Sequence, residues 1–234
     1  MKKNIIDEVT KLFDKIPLAK NLARKKFISS FLMGLVDSRK VQFQEIALHI
    51  ESEAKLASVE GNIHSFFKEV AFDYEPVCLL LIMFLPSGKV SLSIDSTEWD
   101  FGIYQCNILM IVAKNDAIGI PLYWELLNNK SGNRSSEDGL TLLAKVIKLL
   151  GKEGIRVVVG ERAFIGIKWI QYLKSNNIPF CMRLPKGHLI PLKNGDSYSI
   201  EALLKTSTER YFQDTMVDGV WCNTMLKRLD KNEY

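Results

Sequence analysis

The sequence has no long apolar run. The longest, Val77 to Leu85, is nine residues, about half of what a bilayer span needs, which excludes a membrane-crossing helix. A leader-like opening is missing too. Met1-Lys2-Lys3-Asn4 is followed by Asp7 and Glu8 rather than by an apolar stretch, so a cytoplasmic protein with no membrane partner is expected. Cysteine is scarce and scattered: Cys78, Cys106, Cys181 and Cys222 lie 28, 75 and 41 residues apart, and His49, His64 and His188 are equally dispersed. Such spacing excludes a sequence-local zinc site and predicts reduced thiols in the core. What is present is enough for a core. Apolar residues make up 47% of the 234 positions and charged residues 25%, which excludes disordered, collagenous and coiled-coil chains.

The net charge is only +4, but it is unevenly spread. Residues 1–40 carry ten basic groups against four acids, and residues 41–75 carry two against seven. A basic opening segment containing Arg24, Lys25, Lys26, Arg39 and Lys40 fits either of two states. It is a solvated helical face, or it is a contact surface for an anionic partner such as DNA.

Hydrophobic periodicity divides the chain near Pro86-Ser87-Gly88. Before it, Ile5, Ile6, Val9, Leu12, Phe13 and Ile16 follow helical spacing, as do Leu22, Phe27, Phe31, Leu32 and Leu35. Two shorter helical segments follow, Val41 to Glu53 and Ser58 to Phe67, with Ser58 able to cap the second. Two short helices with a tight join suit a helix-turn-helix, and small helical bundles share the pattern. After Gly88 the period becomes two. Val90, Leu92 and Ile94 alternate with Ser91, Ser93 and Asp95, and strand-like runs Cys106 to Ala113 and Ile118 to Leu126 follow across a turn at Asn115-Asp116. A polar loop, Asn128 to Ser136, opens a helix with Glu137 and Asp138 in its first turn. Then come a strand at Ile155 to Val159, a helix around Trp169, and a strand at Ile178 to Leu184. A weaker segment ends with a hairpin signal at Asp218-Gly219. The order β-β-β-α-β-α-β predicts an α/β protein with a mixed sheet, matching the ribonuclease-H-like fold.

Two acids stand where such a sheet works. Asp95 lies midway along the first strand on its polar face, and Glu161 follows Val157-Val158-Val159-Gly160. If the first and fourth strands pair, both carboxylates meet, as a hard divalent cation such as Mg2+ requires. Acids near strand ends are also common on ordinary surfaces.

These residues carry a resemblance. Ser93-Ile94-Asp95-Ser96-Thr97-Glu98-Trp99 resembles the first catalytic block of the insertion sequence 4 family of DDE transposases. Gly119 to Leu127 is similar to that family's third strand, and Lys130-Ser131-Gly132-Asn133-Arg134-Ser135 to its Gly-Asn-Ser loop. Val159-Gly160-Glu161-Arg162-Ala163-Phe164-Ile165-Gly166 with Trp169 resembles the second block, and Pro179 to Arg183 the strand after it. Lys25-Lys26-Phe27-Ile28, Ile46-Ala47 and Phe66-Phe67 resemble its DNA-binding region. The resemblance implies a helical DNA-binding region at 1–85 and a ribonuclease-H-like core at 89–234. It implies Asp95 and Glu161 as catalytic and metal-binding residues for Mg2+ or Mn2+. It further implies DNA contacts through Arg24, Lys25, Lys26, Arg39, Lys40 and Arg162. The partners implied are the element's terminal repeats and the target DNA, with a homodimer as an admissible assembly.

Three departures qualify the implied activity. Glu161 stands where the family has Asp, and one methylene moves the carboxylate by roughly 1 Å, a displacement that costs about a hundredfold in rate. No segment after Glu161 carries the family's Tyr-x2-Arg-x3-Glu-x6-Lys pattern. Glu201 and Glu209 fall in that stretch without it, so an incomplete copy is expected. The recognition segment holds Glu60, Gly61 and His64 where the family has Arg. A catalytically inactive DNA-binding remnant and a stand-alone ribonuclease-H-like nuclease are therefore the alternatives to an active transposase. Arg162 suits a phosphate or a salt bridge equally. Trp99, Trp124 and Trp169 are expected in the core, and His188 in a loop.

Overall fold

Helical spacing in the first part of the chain and alternation in the second produce two units, Met1–Met83 and Phe84–Tyr234. The structure, a computed structural model, describes residues 2–15, 21–71, 73–115, 118–127, 136–185, 187–191, 195–205 and 207–227.

The first unit contains α1 (Lys2–Lys15), α2 (Leu22–Ser38), α3 (Phe43–Leu48), α4 (Leu56–Glu69) and α5 (Tyr74–Ile82). Asn21 starts α2 by accepting the Arg24 amide through its side chain at 2.8 Å, satisfying one of the free amides of a helix start. Arg39 ends it in the left-handed region at φ 53°, its amide bonded to the Leu35 carbonyl. Ile46, Ala47, Val59 and Ile63 are buried together, with Phe27, Phe31, Leu35, Phe43 and Ile50 packed against them. Ring contacts thicken this core: Phe27 lies 4.5 Å from Phe66, and Phe43 stacks on Phe67 at 5.2 Å. The two short helices differ from their predicted limits. α3 spans six residues rather than Val41 to Glu53, and α4 starts two residues before Ser58, at Leu56, after an N-cap Lys55 that makes no side-chain cap. The nine-residue apolar run falls on α5 as far as Ile82 and continues three residues beyond it, and no helix among the described residues is long and apolar enough to cross a membrane.

The second unit is built on β1 (Val90–Phe101), β2 (Tyr104–Asn115), β3 (Ile118–Leu127), α6 (Ser136–Leu150), β4 (Ile155–Gly160), α7 (Ile167–Ser175) and β5 (Phe180–Met182). The strands form one sheet in the order β3-β2-β1-β4-β5. β1, β2 and β3 pair antiparallel, and β1–β4 and β4–β5 pair parallel, each parallel step needing a helical crossover. This is the expected ribonuclease-H-like mixed sheet. Leu92, Ile94, Leu109, Ile111 and Val158 are buried, as are Leu142, Leu143 and Val146 of α6 and Trp169, Ile170 and Leu173 of α7. The helices approach closely at Gly139, where a β-carbon would lie 2.7 Å from the Trp169 ring. The outer strand β3 contains Pro121, which pairs with Val112 just where the register slips by one residue. The expected turn at Asn115-Asp116 and the loop before Ser136 lie largely outside the described residues.

The weaker final segment proves structured. β6 (Leu189–Pro191) pairs with β7 (Ser197–Ser199), α8 (Ile200–Leu203) follows, and β8 (Glu209–Val217) pairs with β9 (Val220–Lys227). Asp218 and Gly219 turn the last hairpin with φ of 47° and 78°, the two positive angles such a turn demands. Ile190, Ile200, Leu203, Leu204 and Leu226 form a small separate core here.

Candidate metal and nucleic-acid site

Asp95 is the sixth of twelve residues in β1 and is exposed. Its neighbours Leu92 and Ile94 are buried, so alternation turns the carboxylate to the opposite face. One oxygen accepts the Ser96 amide at 2.7 Å, which fixes the carboxylate against the backbone. The parallel register pairs Ser93 with Val159 and Ile94 with Gly160. The pairing ends there, with Gly160 the last residue of β4, and Asp95 and Glu161 are the next residues along the two chains.

The backbone at Glu161 is held from both directions. On one side Gly160 is buried, and a β-carbon there would lie 2.6 Å from the Met182 sulfur and 3.3 Å from Ile94 Cγ2. On the other, the Glu161 carbonyl accepts the Phe164 amide at 2.9 Å across a single 3-10 turn, Arg162–Phe164. Phe164 is itself anchored edge-on to the buried Trp169 ring at 5.7 Å. The apolar residues around Glu161 therefore act as its mount, while the carboxylate stays exposed.

Carboxylate oxygens suit a hard cation such as Mg2+, which is commonly bound through one or two carboxylates and keeps other positions for water and phosphate. Asp95 and Glu161, both exposed and each one residue past the last β1–β4 pair, are the carboxylates that could donate such oxygens. Among the described residues no group of three or more His, Cys, Asp or Glu side chains is arranged for a metal. Glu201 is exposed on α8, and Glu209 lies 3.9 Å from Lys227 across the last hairpin.

Arg183 joins the site without a role predicted from sequence. Its amide donates to the Gly160 carbonyl at 3.0 Å, and its Nη1 lies 3.7 Å from Glu161 Oε2. The only sequence signal for this neighbour is that Arg183 follows β5 as Glu161 follows β4, and it becomes visible once Val158 is known to pair with Phe180. Both side chains open onto a cavity of about 490 Å³ whose walls include Ile165, Phe180, Ile200 and Cys222.

The other named residues divide between the two units. Arg162 is exposed in the turn after Glu161. Arg24 and Lys26 are exposed on α2, whereas Lys25 is ion-paired with Asp14 and Lys40 with Glu45 at 3.1 Å; Arg39 closes α2. α4 exposes Ser58, Gly61, Asn62, His64 and Ser65, and the His64 ring lies 3.9 Å from Glu60 and 4.9 Å from Phe43.

Two sequence expectations need correction. Trp169 is fully buried, but Trp99 is 55% exposed and Trp124 is half-buried. Trp99 lies near the tip of the β1–β2 hairpin, where apolar neighbours in sequence do not imply cover. Of the four cysteines Cys78 alone is buried, and Cys181 is exposed. Burial, with the nearby Glu75, pushes the Cys78 thiol up to about 11; burial also raises Cys222, opposed by Lys174. His188 follows the expected loop path, its amide bonded to the Pro185 carbonyl.

No family model and no curated protein matches the chain. Among solved structures it is similar to the HTLV-2 integrase catalytic core domain in complex with magnesium, in its trimeric and dimeric forms. Each comparison gives 15% identity and a TM-score of 0.32. The similarity covers 43% of this chain for the trimeric form and 42% for the dimeric form, and 62% of the integrase core in both. The chain thus spans less than two thirds of the domain it matches.

Proposed function

We propose that this chain is a DNA-processing protein of the DDE transposase kind, related to the insertion sequence 4 family. Residues 1–85 would form its DNA-binding region and 89–234 its catalytic core. The observation that supports this reading is the parallel β1–β4 register, in which Ile94 pairs with Gly160 and Asp95 and Glu161 are the next residue on each chain. In the proposal these two carboxylates hold Mg2+ or Mn2+. When bound, that ion polarises phosphoryl oxygens and lowers the pKa of water. Asp95, pinned by the Ser96 amide, supplies a fixed oxygen. Glu161, one methylene longer than the family's Asp, supplies an adjustable one. Arg162 meets a phosphate from the same turn, and Arg24, Lys25, Lys26, Arg39 and Lys40 hold DNA non-specifically through its backbone. The proposed setting is cytoplasmic, with terminal repeats and target DNA as partners and a homodimer as the assembly.

The test is nicking of supercoiled plasmid bearing the element ends, with Mg2+. Asp95→Asn is expected to remove the Mg2+-dependent products, and unchanged nicking would take Asp95 out of the mechanism. Strand-joined products separate a transposase from a stand-alone nuclease of the same fold.

A second reading, a DNA-binding remnant without catalysis, is favoured by the Arg183 contact with Glu161 and by the pair of carboxylates having no third partner among the described residues. A gel-shift titration across salt distinguishes it. A pure phosphate binder weakens steeply with salt and shows no preference for element ends.

A further inference from the structure

Across β1, β4 and β5 the parallel registers end in line one residue before three charged residues. Ile94 pairs with Gly160, and Gly160 with Met182; the next residue on each path is Asp95, Glu161 and Arg183. Glu161 thus follows a residue paired on both sides, with Arg183 as its ion-pair partner. Its contact with Arg183 is an ion pair at 3.7 Å, longer than the 2.7–3.2 Å or so of a hydrogen bond. The two side chains are 40% and 56% exposed, and such pairs are weak and screened by salt. The backbones below are fixed, by the Arg183 amide on the Gly160 carbonyl and the Phe164 amide on the Glu161 carbonyl. Exchange of partners at Glu161 thus needs side-chain rotation alone, and the adjoining cavity gives it room.

We propose that Arg183 is a positioning residue that holds the Glu161 carboxylate until a divalent cation takes it, and then turns its guanidinium to a DNA phosphate. The inference rests on the metal-binding reading of Asp95 and Glu161. A planar guanidinium suits both partners, because it forks onto carboxylate and phosphate alike. The exchange keeps the site charge-balanced: cation and DNA each gain a partner, and neither Glu161 nor Arg183 is left alone.

The experiment is calorimetric titration of the whole chain with Mn2+ at fixed ionic strength, paired with DNA-binding isotherms across salt. Arg183→Gln is expected to bind Mn2+ roughly tenfold more tightly, since it removes a positive charge a few ångströms from a divalent ion. Arg183→Met, which keeps the aliphatic stem, must give the same gain and serves if the first variant fails to fold. Arg183→Lys stays near the unmodified protein. In a Glu161→Gln background the gain disappears. For DNA, Arg183→Gln lowers the slope of log affinity against log salt by about 0.9 with Mn2+ present, and leaves it unchanged without Mn2+. A Mn2+ affinity that is unchanged or weaker in both Arg183→Gln and Arg183→Met overturns the inference, as does an equal slope change with and without the ion. If Asp95→Asn and Glu161→Gln lose Mn2+ while the Arg183 variants gain nothing, this inference alone fails. If those two acid variants bind Mn2+ normally, the metal site itself is refuted and this inference falls with it.

Discussion

The two units expose their charge in opposite ways. In the helical unit the ion pairs of Lys25 with Asp14 and Lys40 with Glu45 quiet part of the basic segment. In the sheet unit Asp95 and Glu161 are exposed, each one residue past the Ile94–Gly160 pair of the β1–β4 register. A count of Lys and Arg overstates the first surface because it ignores these pairings. A count of Asp and Glu understates the second because it ignores register. Pairing and register, more than composition, decide what charge a surface presents.

The contrast can be broken experimentally, because the two units carry different optical labels. All four tryptophans (Trp99, Trp124, Trp169 and Trp221) lie after residue 84. Tryptophan fluorescence therefore follows the sheet unit, while far-ultraviolet circular dichroism follows helices in both. The largest effect is expected from Trp169→Ala. It removes the buried ring that anchors Phe164 and packs against Gly139 and should cost about 3–5 kcal/mol. The three remaining tryptophans would report a lower urea midpoint. Ile63→Ala, in the fully buried centre of the helical unit, should cost about 2–5 kcal/mol. It should lower the dichroism transition while the fluorescence transition stays in place; equal shifts in both signals would mean that the units unfold as one.

A third prediction uses Cys78, whose thiol is pushed up to about 11. Below its ordinary value near 9 the thiol is neutral in both states. Between 9 and 11 the unfolded chain releases the proton and the native one keeps it, so stability falls as pH rises through that window. Urea melts followed by dichroism should show this decline, and Cys78→Ala should flatten it. The smallest effect has the opposite sign. A β-carbon at Gly61 meets nothing within 4 Å, so Gly61→Ala should stabilise the exposed face of α4 by about 0.4–1 kcal/mol, seen as a small rise in the dichroism midpoint.

Period alone made much of the fold legible. α1, β1 and β2 announce themselves because one face of each is apolar, and α2 through the helical spacing of Phe27, Phe31 and Leu35, which pack on the buried core. β8 and β9 do not, since Tyr211, Met216, Trp221 and Met225 are large apolar residues left exposed, which blurs the alternation. α3 was overestimated because helical spacing continues past Leu48 although its backbone turns at His49 and Ile50. At the proposed site, the sequence alone marks Asp95 as the polar member of an alternating strand and Glu161 as the acid after an apolar one. Arg183 was not legible, because its meaning depends on which residue of β4 faces which of β5, and no local pattern encodes that pairing. Trp99 misled for a related reason: sequence neighbours report composition, and cover comes from elements distant in the chain.

Pro121 has a consequence at the margin of the sheet. Proline withholds an amide from the ladder, and the slipped register beside it kinks the outermost strand. The opposite margin, β5, is only three residues long. A second molecule trying to add its own strand meets a bent rim on one flank and a stub on the other, so the sheet resists growing into a fibril.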